Sequence, residues 1–374
     1  MKIAAIIAEY APFHNGHALH IARTRERCDA VVCIMDGHVS QRGEIMPLSR
    51  WSRARAALLN GADVVVELPS LFACRTADKF AAAGVFLAHA IGADILSFGS
   101  ETADMASLME MAAQREDAAA REAISRGMAQ GKSLPRARAE AGLAPVGPNS
   151  ILAVEYLRAL NAIGDGAPAP MAVFRDNDYH SQSLGHIASA TAVRAGVKRG
   201  DPHAELALPE NARFQIPEMA SRHDLDDLAL HALRSLGARG IAGLPDVSEG
   251  LENRVYAAAC RASTLEGMLD DVKCKRYTRA RLMRLAAHGL MGLTRELAEK
   301  CPQPGYIRVV GARDSRVLGE ISRRARLPMV SAQDVRGDMC FEFELRATDI
   351  WALSRNCAAE RSAGQEFTRK FVKL

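Results

Sequence analysis

Several common features are missing from this chain of 374 residues, and each absence removes a class of protein. No uninterrupted apolar stretch approaches the roughly 18 residues of a membrane-spanning helix. The run "IAAIIA" between Lys2 and Glu9 is too short for the apolar core of a secretory leader, so a soluble, cytoplasmic protein is expected. The eight cysteines form no C-x-x-C pair and keep no zinc-ligand spacing to histidine. They read as reduced thiols packed like small apolar residues, and no metal-ligand set is legible. No charge of one sign dominates: the net charge is +4, which permits a phosphate-rich partner without requiring one. There is no internal repeat, no phosphate loop of the G-x-x-x-x-G-K-[ST] kind and no G-x-G-x-x-G fingerprint.

What is present is a regular alternation. "KIAAIIA", "DAVVCIMDG", "ADVVVELP" and "ADILSFGS" are short, apolar and continuous, as buried strands are. Between them lie the amphipathic stretches "HALHIARTRERC", "LSRWSRARAALLNG" and "TADKFAAAGVFLAHAIG", which read as helices. "PNSILAVEYLRALN" adds a helix with Asn149 and Ser150 as capping residues, "MAVFRD" a last core strand, and "SATAVRAGVKRG" a helix with a Ser/Thr-rich start. The pattern predicts an α/β fold with a Rossmann-like, doubly wound parallel sheet over residues 1–202. A proline-rich change of composition near residue 202 opens a helical region over 203–305. A small α/β region over 306–374 follows, in which "YIRVVGA" and "FEFELRATDIWAL" read as strands.

The chemistry concentrates in "EYAPFHNGHALH", where the first strand ends and the first helix begins. Ligands of doubly wound sheets bind outside the carboxyl ends of the strands, which is where "HNGH" falls. A helix N-terminus offers free N–H groups and a positive dipole end to a phosphate, and Gly16 allows close backbone approach. His14 and His17 can donate hydrogen bonds to oxygens that gain charge during phosphoryl or nucleotidyl transfer. A capping or packing role for the two imidazoles is the competing reading.

The motif resembles the "HIGH" signature of the nucleotidylyltransferase superfamily, whose members bind ATP on a Rossmann-like sheet. "IASATAVR", residues 187–194, fits that superfamily's second signature, a Ser/Thr-rich segment ending in a basic residue that grips pyrophosphate. The likeness extends along the chain. "EYAPFHNGH", "GHVSQRGE", "VVELP", "FGSE", "GPNSILAVEYLRAL", "SATAVR", "SEGLENR" and "KCKRYTRARLMRL" occur in an order that resembles the bacterial tRNA(Met) cytidine acetate ligase family.

The resemblance implies an enzyme that takes ATP, with Mg²⁺, and acetate, and makes N4-acetylcytidine at the wobble position of elongator tRNA(Met). It also implies roles. His14, His17 and Arg194 would act on the transferring phosphate and leaving pyrophosphate. Ile7, Ala8, Glu9, Tyr10, Pro12, Phe13, Asn15, Gly16 and His20 would wrap the ATP together with the two histidines. Gly99, Asn149 and Arg175 match further ATP contacts. One departure is Asp36, where the family usually carries a small residue. No general base for the cytosine step is singled out.

On the RNA side, "KCKRYTRARLMR" places Lys273, Lys275, Arg276, Arg279 and Arg281 around Tyr277 with no acid among them. Basic groups interleaved with an aromatic suit a phosphate backbone and a stacked base, and a solvated helix face is the bland alternative. Arg42, Arg50, Arg53 and Arg55 are expected to line the mouth of the crevice. Two other functions compete with the ligase: a nucleotidylyltransferase acting on a small molecule, and a non-catalytic RNA-binding relative.

Overall fold

The computed structural model describes residues 1–100, 104–114, 118–129, 134–142, 150–174, 188–220, 224–248, 250–274 and 276–374. Asn149, Arg175 and Lys275 therefore lie outside the described residues. Among the described residues eight strands form the sheet: β1 (Ile3–Ala8), β2 (Ala30–Asp36), β3 (Val64–Leu68), β4 (Ile95–Ser100), β5 (Ala169–Phe174), β6 (Ile307–Ala312), β7 (Met329–Val330) and β8 (Val372–Lys373). Their order is β5-β4-β1-β2-β3-β6-β7, with β8 also paired to β6. The first five strands are parallel.

The strands are apolar on both faces because both faces are covered. Among the helices of the described residues are α1 (Asn15–Arg25), α2 (Arg50–Leu59), α3 (Ala77–Ala90), α4 (Ser150–Ile163), α5 (Ala190–Arg199), α6 (Gln215–Ala220), α7 (Asp226–Ala242), α8 (Leu251–Arg261), α9 (Leu265–Val272), α10 (Arg279–Met291) and α11 (Met339–Ala352). Val32 and Ile34 of β2 join the core shared with α3 and α4, while Val31, Cys33 and Met35 join the one shared with α1 and α2. This two-sided burial makes the strands read as unbroken apolar runs rather than alternating ones. Sequence order reverses at β1, whose neighbours are β2 and β4, and such a switch point opens a crevice at the strand ends.

Helices α7 to α10 build a second core around Leu233, Val255, Met268 and Leu285. This cluster is joined to the sheet layer through α10, whose Ala287 and Met291 belong to the first core. His288 of α10 is buried and donates from Nε2 to the Cys74 carbonyl at 2.7 Å. Burial pushes its imidazole down to about 4, although the carbonyl favours the protonated ring. The unfolded chain takes up a proton near pH 6.5 and the folded one does not, so stability falls as pH drops below about 6.5. Replacing His288 by Gln keeps a donor to Cys74 and removes the titration. Between pH 7 and 4, urea unfolding of the variant should lose about 3 kcal/mol less than the wild type. Equal losses would mean that the native ring takes up protons freely.

The C-terminal segment keeps one of its two expected strands. "YIRVVGA" holds β6, which pairs antiparallel with β3 and extends the first sheet. "FEFELRATDIWAL" is the helix α11, not a strand. The alternation of Phe341, Glu342, Phe343 and Glu344 has period two, but Asp338 caps a helix by accepting from the N–H groups of Cys340 and Phe341. Phe341, Glu344, Thr348 and Trp351 then share one buried, helix-spaced stripe.

Beneath α11 lies a buried charge cluster. Arg50 pairs with Glu67, Glu344 and Glu366, and Arg308 pairs with Glu67 and Glu366. His38 completes it: Nε2 accepts the Arg50 backbone N–H at 3.2 Å, which leaves Nδ1–H to donate to Thr348 Oγ1 at 3.0 Å. Burial among arginines holds this imidazole well below the usual histidine range, consistent with that neutral tautomer.

Candidate active site at the histidine turn

The turn after β1 is set by a few tight interactions. Tyr10 takes a left-handed backbone conformation with φ of 52°, uncommon for a residue with a side chain. Phe13 is buried, and its N–H donates to Oε1 of Gln215 in α6 at 3.0 Å. His14 is the N-cap of α1. Its Nδ1 accepts the Gly16 N–H at 3.1 Å, and Nδ1 of His17 accepts the His14 N–H at 3.3 Å. These bonds are a capping box built from two imidazoles. Because each Nδ1 is an acceptor, the ring proton of each neutral histidine sits on Nε2. The rings stack with centroids 3.6 Å apart, and Tyr10 meets His17 edge-on at 4.8 Å. Capping and the chemistry expected of the pair are therefore compatible.

Other expected residues take distinct places. His20 is buried behind the turn, where Nε2 meets Ser97 Oγ at 2.9 Å and ties α1 to β4. Asn15 donates to the Leu206 carbonyl at 3.0 Å. The β1–β4 ladder stops at Ile6 and Ser97, so the strands part before Gly99 and leave backbone facing the crevice. The Ser189 hydroxyl caps α5 by accepting the Ala192 N–H, and α5 carries Arg194 across to the turn. There its guanidinium donates to the Ala11 carbonyl at 2.8 Å and to the Glu44 carboxylate at 3.2 Å. The second signature, far away in the chain, thus reaches the histidine turn at the Ala11 carbonyl.

Asp36 is sequestered from that crevice. It is buried beside Arg53, with a 2.7 Å contact from the guanidinium to Oδ1. Burial pushes the Asp36 carboxyl up, and Arg53 pulls it back. Arg53 also donates to the Glu9 carbonyl at 2.6 Å and to the Gly37 carbonyl. Arg50 and Arg53 therefore do not line the mouth of the crevice as expected: both are buried, tied to acids and carbonyls. A carboxylate must be paired inside a protein, and the sequence does not show which arginines are drawn in to do it.

The comparisons agree with this geometry. Residues 1–366 match the HIGH Nucleotidyl Transferase family. The tRNA(Met) cytidine acetate ligase of Thermoanaerobacter sp. strain X514 is 31% identical over 407 residues, covering 100% of both chains. That of Syntrophotalea carbinolica is 35% identical over 88% of this chain and 85% of the relative. The chain belongs to the tRNA(Met) cytidine acetate ligase family. Two crystal structures of Thermotoga maritima TmcAL cover the whole of both chains. The apo form superimposes with a TM-score of 0.90 at 26% identity, and the form bound with alpha-thio ATP with 0.89 at 27%.

In this family member the basic segment is only partly a free surface. Lys273 is exposed just after α9. Arg279 opens α10 and pairs with Glu266. Arg281 donates to the Asp246 carbonyl at 2.6 Å and the Ser248 hydroxyl at 2.9 Å. Tyr277 is 6% exposed and belongs to the second core, with the Arg276 and Arg281 guanidiniums lying over its ring. The expected stacking platform is thus a core residue here, because its ring fills the space between α9 and α10. Gln215 and Glu44 are the site neighbours that sequence reasoning missed. Gln215 lies in the proline-rich stretch that follows residue 202, and Glu44 carries no spacing signal, since the Arg194 it meets is set by tertiary packing. No described helix is long and apolar enough to cross a membrane.

Proposed function

We propose that this chain is an ATP-dependent ligase that acetylates N4 of the wobble cytidine of elongator tRNA(Met). Acetate is a poor acyl donor and the cytosine amine a weak nucleophile, so the acid has to be activated first. Its carboxylate oxygen attacks the α-phosphorus of ATP, the bond to the β-phosphate oxygen breaks, and pyrophosphate leaves. The N4 amine then attacks the acetyl carbonyl of the adenylate, AMP departs, and N4 gives up a proton. The observation that carries this reading is the stacked histidine pair in the turn whose Ala11 carbonyl Arg194 reaches, in a chain whose full length follows the ligase family.

Each group has a part. His14 and His17 present Nε2–H donors where negative charge grows on the transferring phosphate, and the start of α1 adds its dipole. Arg194, always charged, receives the departing pyrophosphate. Gly99 lets the nucleotide pass close to β4, and Ile7 to Phe13 form the wall on the other side. Asp36 is paired with Arg53, and the Glu9 carboxylate accepts the Gln41 N–H at 2.9 Å. Mg²⁺ would therefore arrive with the polyphosphate and would offset the charge that grows on it as pyrophosphate leaves.

The RNA face would be the exposed edge of residues 273–284, with Lys273, Arg276 and Arg279 meeting phosphates. A wobble base lies in a single-stranded loop and reaches a crevice without duplex melting. Reversing two charges, with Arg276→Glu and Arg279→Glu, should weaken tRNA binding and lower its log–log salt slope by about 1–2. An unchanged slope in filter binding would return the segment to a solvated helix face.

Nucleoside mass spectrometry on elongator tRNA(Met) incubated with the protein, ATP, Mg²⁺ and acetate tests the whole reading. Acetylcytidine that needs both ATP and acetate is the expected product. Pyrophosphate release from ATP and acetate without acetylcytidine would retain the adenylation and overturn the acceptor.

A further inference from the structure

We propose that Glu44 is a positioning residue that holds Arg194 over the nucleotide crevice, from a hairpin wedged against the helical region. The inference rests on the polyphosphate role proposed above for Arg194. Residues 38–46 fold back on themselves: Val39 bridges Ile45, the Ser40 N–H donates to the Glu44 carbonyl, and the Met46 N–H donates to the His38 carbonyl. Three sides of this hairpin are fixed. At its base His38 stacks on Trp351 of α11 with centroids 4.3 Å apart, and the Trp351 indole N–H donates to the Met46 carbonyl at 2.9 Å. Along its edge the Gln41 N–H donates to Glu9, and the Gln41 side chain donates to the Arg75 carbonyl at 2.8 Å.

The tip is fixed by glycine. Gly43 has φ of +85°, and a Cβ there would stand 2.5 Å from the backbone nitrogen of Arg284 and 2.6 Å from its Cα. The hairpin therefore presses directly on the backbone of α10, and any side chain at 43 would lift it off. Arg284 is itself held in place, 3.3 Å from Asp246. With the backbone clamped, Glu44 has a defined reach: its carboxylate accepts from Nη2 of Arg194, which also donates to the Thr191 hydroxyl, while Nη1 donates to the Ala11 carbonyl. The same carboxylate is within Coulombic range of Arg279 at the start of α10.

A guanidinium otherwise held by one carbonyl and one hydroxyl keeps considerable rotamer freedom. A carboxylate at the right distance removes it before the nucleotide arrives, so less ordering remains to be done on binding. The opposite possibility is that Glu44 only competes with the phosphates for Arg194. The two differ in sign.

ATP affinity is measured by calorimetry on the full chain for the wild type, Glu44→Gln, Arg194→Ala and the double variant. Glu44→Gln is isosteric and half-exposed, and an unchanged melting temperature confirms that the fold is kept. If Glu44 acts by placing Arg194, Kd for ATP rises about two- to fivefold on the wild-type background and not at all on Arg194→Ala, the size of an exposed-pair coupling. Tighter ATP binding in Glu44→Gln, or the same change on both backgrounds, would overturn the inference. Arg194→Lys replaces Arg194→Ala if the latter abolishes binding, and there the Glu44 effect should shrink. Acetate-dependent pyrophosphate exchange, run alongside, separates the two levels. Wild-type ATP binding without exchange would count against the proposed ligase chemistry, while the binding cycle still decides the role of Glu44.

Discussion

Replacing both histidines, His14→Ala with His17→Ala, is expected to lower acetate-dependent pyrophosphate exchange by about a thousandfold or more, while tRNA affinity changes by less than about twofold. The size follows from removing two preorganised donors, since a single such donor commonly contributes two to three orders of magnitude. The structure also supplies a confounding effect that must be separated. His14 is the N-cap of α1 and His17 returns the bond, so the double variant also loses the cap, at a cost of about 1 kcal/mol. His14→Asn distinguishes the two roles. Asparagine is among the best N-caps, so α1 should keep its stability, yet the Nε2 donor is gone. Near-native melting with exchange reduced about a hundredfold or more would assign His14 to the chemistry. Full exchange in His14→Asn would assign it to capping alone and sink the catalytic reading.

The second large effect concerns folding. Arg50→Met should destabilise the protein by about 3–5 kcal/mol in urea unfolding, because it leaves buried carboxylates without their shared cation. Glu67, Glu344 and Glu366 all contact Arg50, and Arg308 reaches only the first and last of them. Glu344 is then left with the backbone N–H and hydroxyl of Ser70 as its donors. A carboxyl so placed gains a proton more readily folded than unfolded, so the variant should recover stability as pH falls from 7 toward 5, when the wild type does not. Adding Glu344→Leu should restore part of the loss, since an apolar replacement of both partners avoids the unpaired charge. His38, Glu344 and Glu366 also bring ligand-type atoms within 4.8 Å of one another, and Arg50 already supplies the positive charge there. If Arg50→Met were neutral, the cluster would have to relax around the gap or take up a proton at no cost.

Much of the sheet layer was legible because its signals are local. A buried parallel strand must be apolar along its whole length, so β1 to β4 stand out as runs bounded by charge. A capped helix start following such a strand can seat a phosphate, and "HNGH" forms such a start. Arg194 was legible through the segment that carries it, although only the fold puts its guanidinium on the Ala11 carbonyl. Tyr277 misled because an aromatic among arginines looks the same whether its ring faces solvent or fills the gap between two helices. "FEFELRATDIWAL" misled because five residues of period two outweighed a capping aspartate and a longer stripe of period near four.

The sequence alone determined which segments are strands or helices in the first hundred residues, which turn carries the histidines, and which family the chain resembles. These depend on contacts within a few residues or on motifs preserved in order. Tertiary structure alone decided that β6 closes onto β3, that Arg50 and Arg53 are buried counter-ions, that Gln215 braces the Phe13 amide, and that Glu44 meets Arg194. The physical reason is common to all four. The partners of a charge, a buried amide or an edge strand are chosen by which distant segments pack together, and the chain between them carries no periodicity that records the choice.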